Sequence, residues 1–297
     1  MNKNAKWPVA MVSMACVLGA FFYAEAKVNI DREAELASIS HNASLSMTSE
    51  GNERTVSLND AQKLDEYINN LYKSIDFSKA RKLDKKVFTK ALHGYLNLKQ
   101  SGQLDPNRSV ISICDFSLSS NEPRLWVIDL KTKKVLFNTL VAHGQGSGEE
   151  YATSFSNVEG SHQSSMGFFV TANTYYGDKG YSLKLIGKDA GYNCQAYNRA
   201  IVIHAADYVS PDFIKANKRL GRSWGCPALP VALNRPIIDA IKGGTALFIY
   251  SDNAKYLASS KWLKKYPQID ASEKMNPAKT NTMLAEVPQL NGTDTAQ

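Results

Sequence analysis

Six short runs of β-branched and aromatic residues between positions 109 and 250 constrain the fold of this chain most strongly. They read SVISICDFSL, RLWVIDL, KVLFNTLVAHG, GFFVTANTYY, AIVIHAADYV and TALFIY. Runs of this length and composition, bounded by polar, Gly- and Pro-containing stretches, are typical of β-strands. The segment DLKTKK between the second and third runs predicts a hairpin turn. The sequence therefore predicts a mainly β domain over residues 106–251.

Helices are predicted both before this domain and within it. In the segment 57–105, apolar residues recur twice at helical spacing, first at Leu64, Ile68, Leu71, Tyr72 and Ile75, then at Val87, Phe88, Ala91, Leu92, Tyr95 and Leu96. We expect two amphipathic helices whose apolar faces pack on the β domain. PDFIKANKRL and PVALNRPIIDAIKGG predict two short helices inserted among the strands, the second ending at Gly243 and Gly244.

The N-terminus has the pattern of an export signal. Lys3 and Lys6 precede an apolar run over 7–23, and Ala24-Glu25-Ala26 follows it. This pattern is typical of a signal peptide over 1–26, cut after Ala26. An uncleaved N-terminal membrane anchor stays open, because the run is at the short end of membrane-spanning lengths. Both alternatives predict an exported protein of the periplasm or cell envelope.

Two polar regions flank the predicted folded part. Residues 27–56 predict a flexible leader, and residues 252–297 predict a polar, largely disordered tail, because both contain few large apolar groups in a regular pattern.

The charge balance limits the classes of partner. The formal net charge is +7 and the sequence pI is about 9.0, which suits an anionic polymer or a membrane surface and is equally compatible with ordinary solubility charge. We expect no nucleic-acid partner, since the chain has no arginine-rich or aromatic-interleaved tract of that kind. CxxC and HExxH spacings are missing and the five histidines are scattered, so no metal site or cofactor is predicted.

The segment GRSWGCPALP, residues 221–230, contains the candidate nucleophile Cys226. Beyond the predicted cleavage site the chain has Cys114, Cys194 and Cys226, an odd number that leaves at least one thiol unpaired in an oxidising compartment. Whether Cys114 and Cys194 form a disulfide stays open. A cysteine nucleophile needs a base close to it. The best candidate is His204, which ends the apolar run RAIVIH.

Residues near Cys226 are candidates for binding a substrate. Gly225 would let the backbone approach it closely, and the neighbouring amides would form an oxyanion hole. Ser223 offers a hydroxyl, and Arg222, or less favourably Arg199, would hold a carboxylate by two parallel hydrogen bonds. Each arginine has the alternative of being a solvated surface charge. His143, in the loop AHGQGSG, either borders the cleft or is a loop histidine bonded to backbone.

The segment HAADYVSPDFIKANKRLGRSWGC resembles the His-x-x, spacer, Ser-x-Gly-Cys signature of the L,D-transpeptidases, the YkuD-type enzymes of the bacterial cell wall. LVAHGQGSG and SSMGFFVT are also similar to that family, so the resemblance covers about residues 109–251. It implies a β-sandwich-like catalytic domain. The likeness is greatest to a divergent branch with Ser-Trp-Gly-Cys-Pro. Trp224 stands where most members have His, so the resemblance leaves proton transfer to His204 and makes Arg222 a candidate for a missing downstream Arg or Asn.

The resemblance also implies a reaction. His204 would take the proton of Cys226, and the thiolate would attack the carbonyl of an L-centred residue in a peptidoglycan stem peptide, releasing the terminal D-alanine. The acyl group would then pass to an amine, giving a 3-3 cross-link or an anchored wall protein. With water as the acceptor, the enzyme would be an L,D-carboxypeptidase.

Two further alternatives come from other classes of protein. One is a non-catalytic peptidoglycan-binding scaffold in which Cys226 is bridged to Cys194 or Cys114. The other, a papain-like protease, fits less well because its cysteine usually precedes its histidine in sequence.

Overall fold

The computed structural model describes residues 58–269. The predicted signal peptide or anchor, the leader and the part of the predicted tail beyond residue 269 lie outside the described residues. Among the helices of the described range, none has the length and apolar character needed to cross a membrane.

Two amphipathic helices precede the sheet, as the sequence predicts. They are α1, Leu58–Ser74, and α2, Lys85–Gln100. Helix α2 begins after Asp84, whose carboxylate accepts hydrogen bonds from the amides of Lys86 and Val87. The apolar faces of both helices join one core cluster with sheet residues that include Ile111, Trp126, Phe168 and Phe248. The expected packing of the helices on the β domain is therefore confirmed.

Eight strands form the sheet of the described chain: β1 Val110–Asp115, β2 Leu125–Asp129, β3 Lys134–Thr139, β4 Gly167–Gly177, β5 Gly180–Gly187, β6 Val202–Ala205, β7 Ala228–Leu229 and β8 Ala246–Tyr250. Their order across the sheet is β3-β2-β1-β8-β4-β5-β6-β7. The pairs β1–β8 and β6–β7 are parallel and the other pairs are antiparallel. All six predicted strand runs are present, and DLKTKK joins β2 to β3. The mainly β fold class is confirmed.

The sequence prediction missed two strands. In β5, Leu183 and Leu185 alternate with Ser182 and Lys184, and the two-residue turn before it, at 178–179, is the signal that would have identified the hairpin with β4. Strand β7 has only two residues, Ala228 and Leu229, which is too short for any periodicity to appear.

The two predicted insertions are helices α3, Pro211–Asn217, and α4, Val231–Ile241. Helix α4 packs Ile237 and Ile241 into a second core cluster with Leu183 and Leu247. Because neighbouring residues of β8 belong alternately to the first and second clusters, the two clusters cover opposite faces of the sheet.

The structure corrects the predicted tail over residues 252–269. This stretch forms helices α5, Ala254–Ser259, and α6, Lys261–Lys264, and it buries Tyr256 and Trp262 in the first core cluster. Two aromatic anchors six residues apart create no helical period, and for this reason the sequence pattern was misleading.

Polar contacts also fix this C-terminal stretch. The Asn97 side chain of α2 donates hydrogen bonds to the carbonyls of Trp262 (2.8 Å) and Lys265 (2.6 Å). The buried carboxylate of Asp189 accepts hydrogen bonds from the Tyr256 hydroxyl (3.1 Å) and the Ser260 hydroxyl (2.5 Å). Since these groups are hydrogen-bonded away from water, leaving them unpaired would be costly, which holds α5 and α6 to the domain.

Candidate active site

The pairing of β6 with β7 brings Cys226 and His204 to the same edge of the sheet. His204 lies opposite Ala228 in this parallel pair. Val202 and Cys226 lie two residues before His204 and Ala228, and the Cys226 Sγ accepts a hydrogen bond from the Val202 N–H at 3.4 Å. Cys226 therefore lies one side-chain repeat from His204 along the strand pair. The thiol itself donates to the Ala200 carbonyl at 3.7 Å, and no hydrogen bond between Cys226 and His204 occurs among the described residues.

The electrostatic surroundings of Cys226 favour the protonated thiol in the resting protein. Burial raises the pKa of the thiol, while the Val202 N–H and the charge of Arg199 lower it. Cys226, Cys114 and Cys194 are all free thiols. The bridged Cys226 of the scaffold alternative is therefore not found in the described part of the chain.

His204 is buried, with 5% of its surface exposed. Its Nδ1 lies 2.8 Å from the Ala205 carbonyl oxygen. Because a carbonyl oxygen only accepts, Nδ1 carries the proton and Nε2 is left as an acceptor, without a hydrogen-bond partner in the described range. Burial lowers the pKa of His204, the Ala205 carbonyl opposes this shift, and the charge of Lys179 adds to it. His204 is consequently neutral at neutral pH.

Ser223 and Gly225 shape the turn that carries Cys226. The Ser223 hydroxyl donates to the Cys226 carbonyl at 2.6 Å and accepts from the Gly225 N–H at 3.1 Å. Gly225 has φ +120°, and a Cβ at this position would lie 2.8 Å from the Gln163 carbonyl oxygen, so only glycine fits. The Gly225 amide is thus already used. The Cys226 N–H, by contrast, has no partner among the described residues.

Arg222 differs from its expected role as a free carboxylate-binding group. Its Nη1 forms an ion pair with Glu149 Oε1 at 2.5 Å and donates to the Gly148 carbonyl at 3.1 Å. Arg219 binds the other carboxylate oxygen of Glu149 at 2.9 Å. The guanidinium of Arg222 is therefore occupied by an acid of the chain itself.

His143 lies in a loop, and both of its ring nitrogens are hydrogen-bonded. The side chain is buried; Arg124 Nη2 donates to its Nδ1 at 2.7 Å, and its Nε2 donates to the Gly148 carbonyl at 3.3 Å. Burial and the Arg124 charge lower the pKa of His143 to about 3. Its carbonyl accepts the Ser223 N–H at 3.0 Å. His143 is therefore a loop histidine whose backbone carbonyl holds the turn that carries Cys226.

Trp224 is the most exposed side chain of the motif. It is 73% exposed and stacks on His162, with ring centroids 5.1 Å apart and an interplanar angle of 10°. The segment containing His162 also contacts the turn through Ser164, whose hydroxyl donates to the Gly225 carbonyl at 3.1 Å. The indole thus lies beside the turn, supported on one face.

The sequence prediction did not place Arg199 or Tyr208 near the Cys226 thiol, although both interact electrostatically with it. The charge of Arg199 lowers the thiol pKa, whereas the sequence indicated Arg199 only as a less favoured carboxylate ligand. Burial and the nearby Cys226 charge raise the pKa of Tyr208 to about 12. Arg199 is the first residue of the run RAIVIH, which ends at His204, and this position is the signal that would have identified it. Tyr208 has no such signal in the sequence.

The chemistry of the described residues is that of a thiol and an imidazole. Across residues 58–269, no group of three His, Cys, Asp or Glu side chains is arranged to hold a metal ion. A cysteine, a neutral histidine with an open acceptor nitrogen and a free backbone amide at the cysteine are the groups that acyl transfer through a thioester requires.

The family model described as "L,D-transpeptidase catalytic domain" matches residues 79–250, more than half of the chain. The chain belongs to this family. No protein of curated function gave a match.

Solved structures that are similar to the chain have low identity. An L,D-transpeptidase from Mycobacterium smegmatis is 11% identical with a TM-score of 0.31, and the match covers 48% of this chain and 59% of that one. For the helical cell shape determining protein Pgp2 from Campylobacter jejuni the identity is 14% and the TM-score 0.33, with coverage of 54% and 55%. L,D-transpeptidase 1 from Mycobacterium tuberculosis is 13% identical with a TM-score of 0.28, and the match covers 48% of this chain and 62% of that one. The match spans less than two thirds of each of these proteins, and family membership rests on the family model alone.

Proposed function

We propose that this protein is an exported L,D-transpeptidase that acts on peptidoglycan stem peptides through Cys226. His204 Nε2 takes the proton from Sγ, and the thiolate attacks the carbonyl of the L-centred residue, forming a thioester as the bond to the terminal D-alanine breaks. The His204 proton passes to the departing D-alanine amine. An acceptor amine then forms the new amide and restores the thiol, giving a 3-3 cross-link or an anchored wall protein.

The observation that carries this proposal is the state of His204 beside the thiol. Its Nδ1 proton is held by Ala205, its Nε2 is open, and it is neutral, so it has the form that a general base requires. Proton transfer requires the thiol to exchange the hydrogen bond that it donates to the Ala200 carbonyl, at 3.7 Å, for one to Nε2.

The turn at residues 223–226, which we call the nucleophile turn, supplies the remaining groups. We assign the unpaired Cys226 N–H to the oxyanion, since Pro227 has no N–H and the Gly225 amide is occupied by Ser223. Ser223 and Gly225 then act by fixing the direction of that amide. The exposed indole of Trp224 lines the approach for the stem peptide.

The test is mass spectrometry of the products after incubation of a disaccharide-tetrapeptide carrying a free side-chain amine with the protein lacking residues 1–26. We expect a cross-linked dimer and released D-alanine from the wild type and from Cys194→Ala, the matched control at an exposed cysteine. We expect neither from Cys226→Ala.

Other products would decide between the alternatives. Tripeptide alone from the wild type, lost in Cys226→Ala, would assign the L,D-carboxypeptidase reaction, with water as the acceptor. Unchanged tetrapeptide from reduced, folded wild type would contradict the proposed reaction on this donor, and sedimentation of the same protein with insoluble peptidoglycan would then favour the scaffold.

A further inference from the structure

Arg199 is anchored by one segment of the chain. Its Nη1 donates to the Ser156 carbonyl (2.7 Å) and the Ser165 hydroxyl (2.6 Å), and its Nη2 donates to the Ser161 hydroxyl (3.2 Å) and the Gln163 carbonyl (2.9 Å). All four acceptors are neutral, and Arg199 belongs to none of the ion pairs found within residues 58–269. The full charge of this half-buried guanidinium is therefore uncompensated by contact with a carboxylate.

The segment that Arg199 holds, residues 156–165, forms one side of the nucleophile turn. The Ser164 hydroxyl donates to the Gly225 carbonyl at 3.1 Å and accepts from the Gly144 amide at 3.0 Å. The Gln163 carbonyl, itself bound by Arg199, lies against the Gly225 Cα, where a Cβ would come within 2.8 Å of it. Four hydrogen bonds from one planar group thus fix the segment against which the turn is packed.

The residues that follow Arg199 touch the sulfur of Cys226. Ala200 has φ +52°, a left-handed conformation that few non-glycine residues adopt, and its carbonyl accepts the thiol. The Val202 amide donates to the same sulfur. The chain therefore places a cation immediately before its contacts with the nucleophile. The charges of Arg199 and Cys226 act on each other: each favours the ionised form of its partner.

We infer that Arg199 is a positioning residue that holds the 156–165 segment against the nucleophile turn and keeps a positive charge toward Cys226, which stabilises its thiolate. That this stabilisation of the thiolate serves catalysis rests on the proposed function. The other titratable groups near Cys226 are His204 from β6 and Tyr208 from the loop before α3, while Glu159 acts on Arg199.

The test is the pH dependence of alkylation of Cys226 by iodoacetamide, with the protein lacking residues 1–26, which include Cys16, and carrying Cys194→Ser so that the exposed thiol does not interfere; Cys114 is buried. For Arg199→Gln we expect the midpoint to rise by about one pH unit, the size of effect that a nearby opposite charge has on a pKa. Arg222→Gln is the matched control, since its charge is paired with Glu149, and it should leave the midpoint unchanged. An unchanged midpoint in folded Arg199→Gln would overturn the inference.

Arg199→Lys keeps the test decisive if the glutamine variant does not fold. Lysine retains the charge and loses the planar set of contacts, so the midpoint should stay within a few tenths of a unit of wild type while amide exchange in residues 156–165 becomes about tenfold or more faster. A midpoint raised by a full unit, or unchanged exchange, would refute the inference. Alkylation needs no peptidoglycan, so its result is independent of whether the proposed transfer reaction occurs.

Discussion

The regions around His143 and His204 contain similar groups in opposite states. Both side chains are buried, and burial lowers the pKa of both. His143 has both ring nitrogens hydrogen-bonded, one of them by a buried arginine, whereas His204 has one nitrogen bonded and the other open. Burial and a lowered pKa therefore do not distinguish the two histidines in this domain; the ring nitrogen left open in His204 does.

The His143 region is built for rigidity. Arg124, fully buried, donates to the carbonyls of Val141 (3.1 and 3.0 Å) and Leu118 (2.7 Å) as well as to His143. The charge is thus surrounded by carbonyl dipoles and a neutral imidazole. This network is joined to the turn by the hydrogen bond from the Ser223 N–H to the His143 carbonyl. It therefore holds the turn without a hydrogen bond to the side chain of Cys226 or His204.

The largest effect should come from His204→Gln. Glutamine fills similar space but cannot accept the thiol proton as a base, so kcat should fall about 10²- to 10⁴-fold. The rate of D-alanine release measures this. The comparison fails if His204→Gln, folded as judged by its melting curve, retains more than a tenth of the wild-type kcat.

His143→Phe should instead reduce stability. It removes one hydrogen bond of the buried Arg124 Nη2, which keeps its bond to the Val141 carbonyl, and one of the Gly148 carbonyl, which keeps its bond from Arg222. The loss of a hydrogen bond to a buried charged group costs about 2–3 kcal/mol in the free energy of unfolding, measured by urea titration. The kcat of the folded fraction should stay within about fivefold of wild type, an allowance for small displacement of the turn. A loss of kcat as large as that of His204→Gln, with unchanged stability, would reverse the roles assigned to the two histidines.

The two histidines should also differ in their pH signatures. The pKa of His204 is held below its ordinary value of 6.5, so kcat/KM should rise with pH through a midpoint under 6.5 and then level off. His143 binds a proton near pH 6.5 when unfolded and only near about 3 when folded. Its contribution is complete above pH 6.5 and is lost as pH falls toward 3, by at most about 1.4 kcal/mol per pH unit. Urea titrations should show a steeper dependence of stability on pH in the wild type than in His143→Phe, which keeps the contributions of other groups with lowered pKa values, among them His204.

The smallest effect should come from the half-buried His162. It stacks on Trp224 outside the core and has φ +52°, which asparagine tolerates. His162→Asn should change the free energy of unfolding by less than about 1 kcal/mol, seen as a small shift of Tm. A larger loss would mean that the stack on Trp224 stabilises the turn as strongly as the buried network does.

The pattern of strands and helices was largely predictable from the sequence, because strand runs and helical stripes are local and periodic. The proximity of Cys226 to the strand of His204 was only a hypothesis from the motif, because spacing along the chain does not establish contact. The partners of the side chains did not follow: Glu149 and Arg222 lie on separate loops, and the contact of His143 with Arg124 joins two elements through a single atom pair. Hydrogen-bond pairing between distant loops leaves no periodic pattern, so the relation of Arg199 and Tyr208 to the Cys226 thiol was not predicted, for the same reason.

The place of β8 in the sheet sets an order of assembly. It lies between β1 and β4 and joins the ladder β3-β2-β1 to the ladder β4-β5-β6-β7, although it is the last strand within residues 58–269. A nascent chain that has emerged only as far as Gly244 contains Cys226 and His204 but lacks the strand that connects the two ladders. The sheet therefore cannot close until the chain through Tyr250 has been made, and the turn that carries Cys226 waits for a strand that follows it in the sequence.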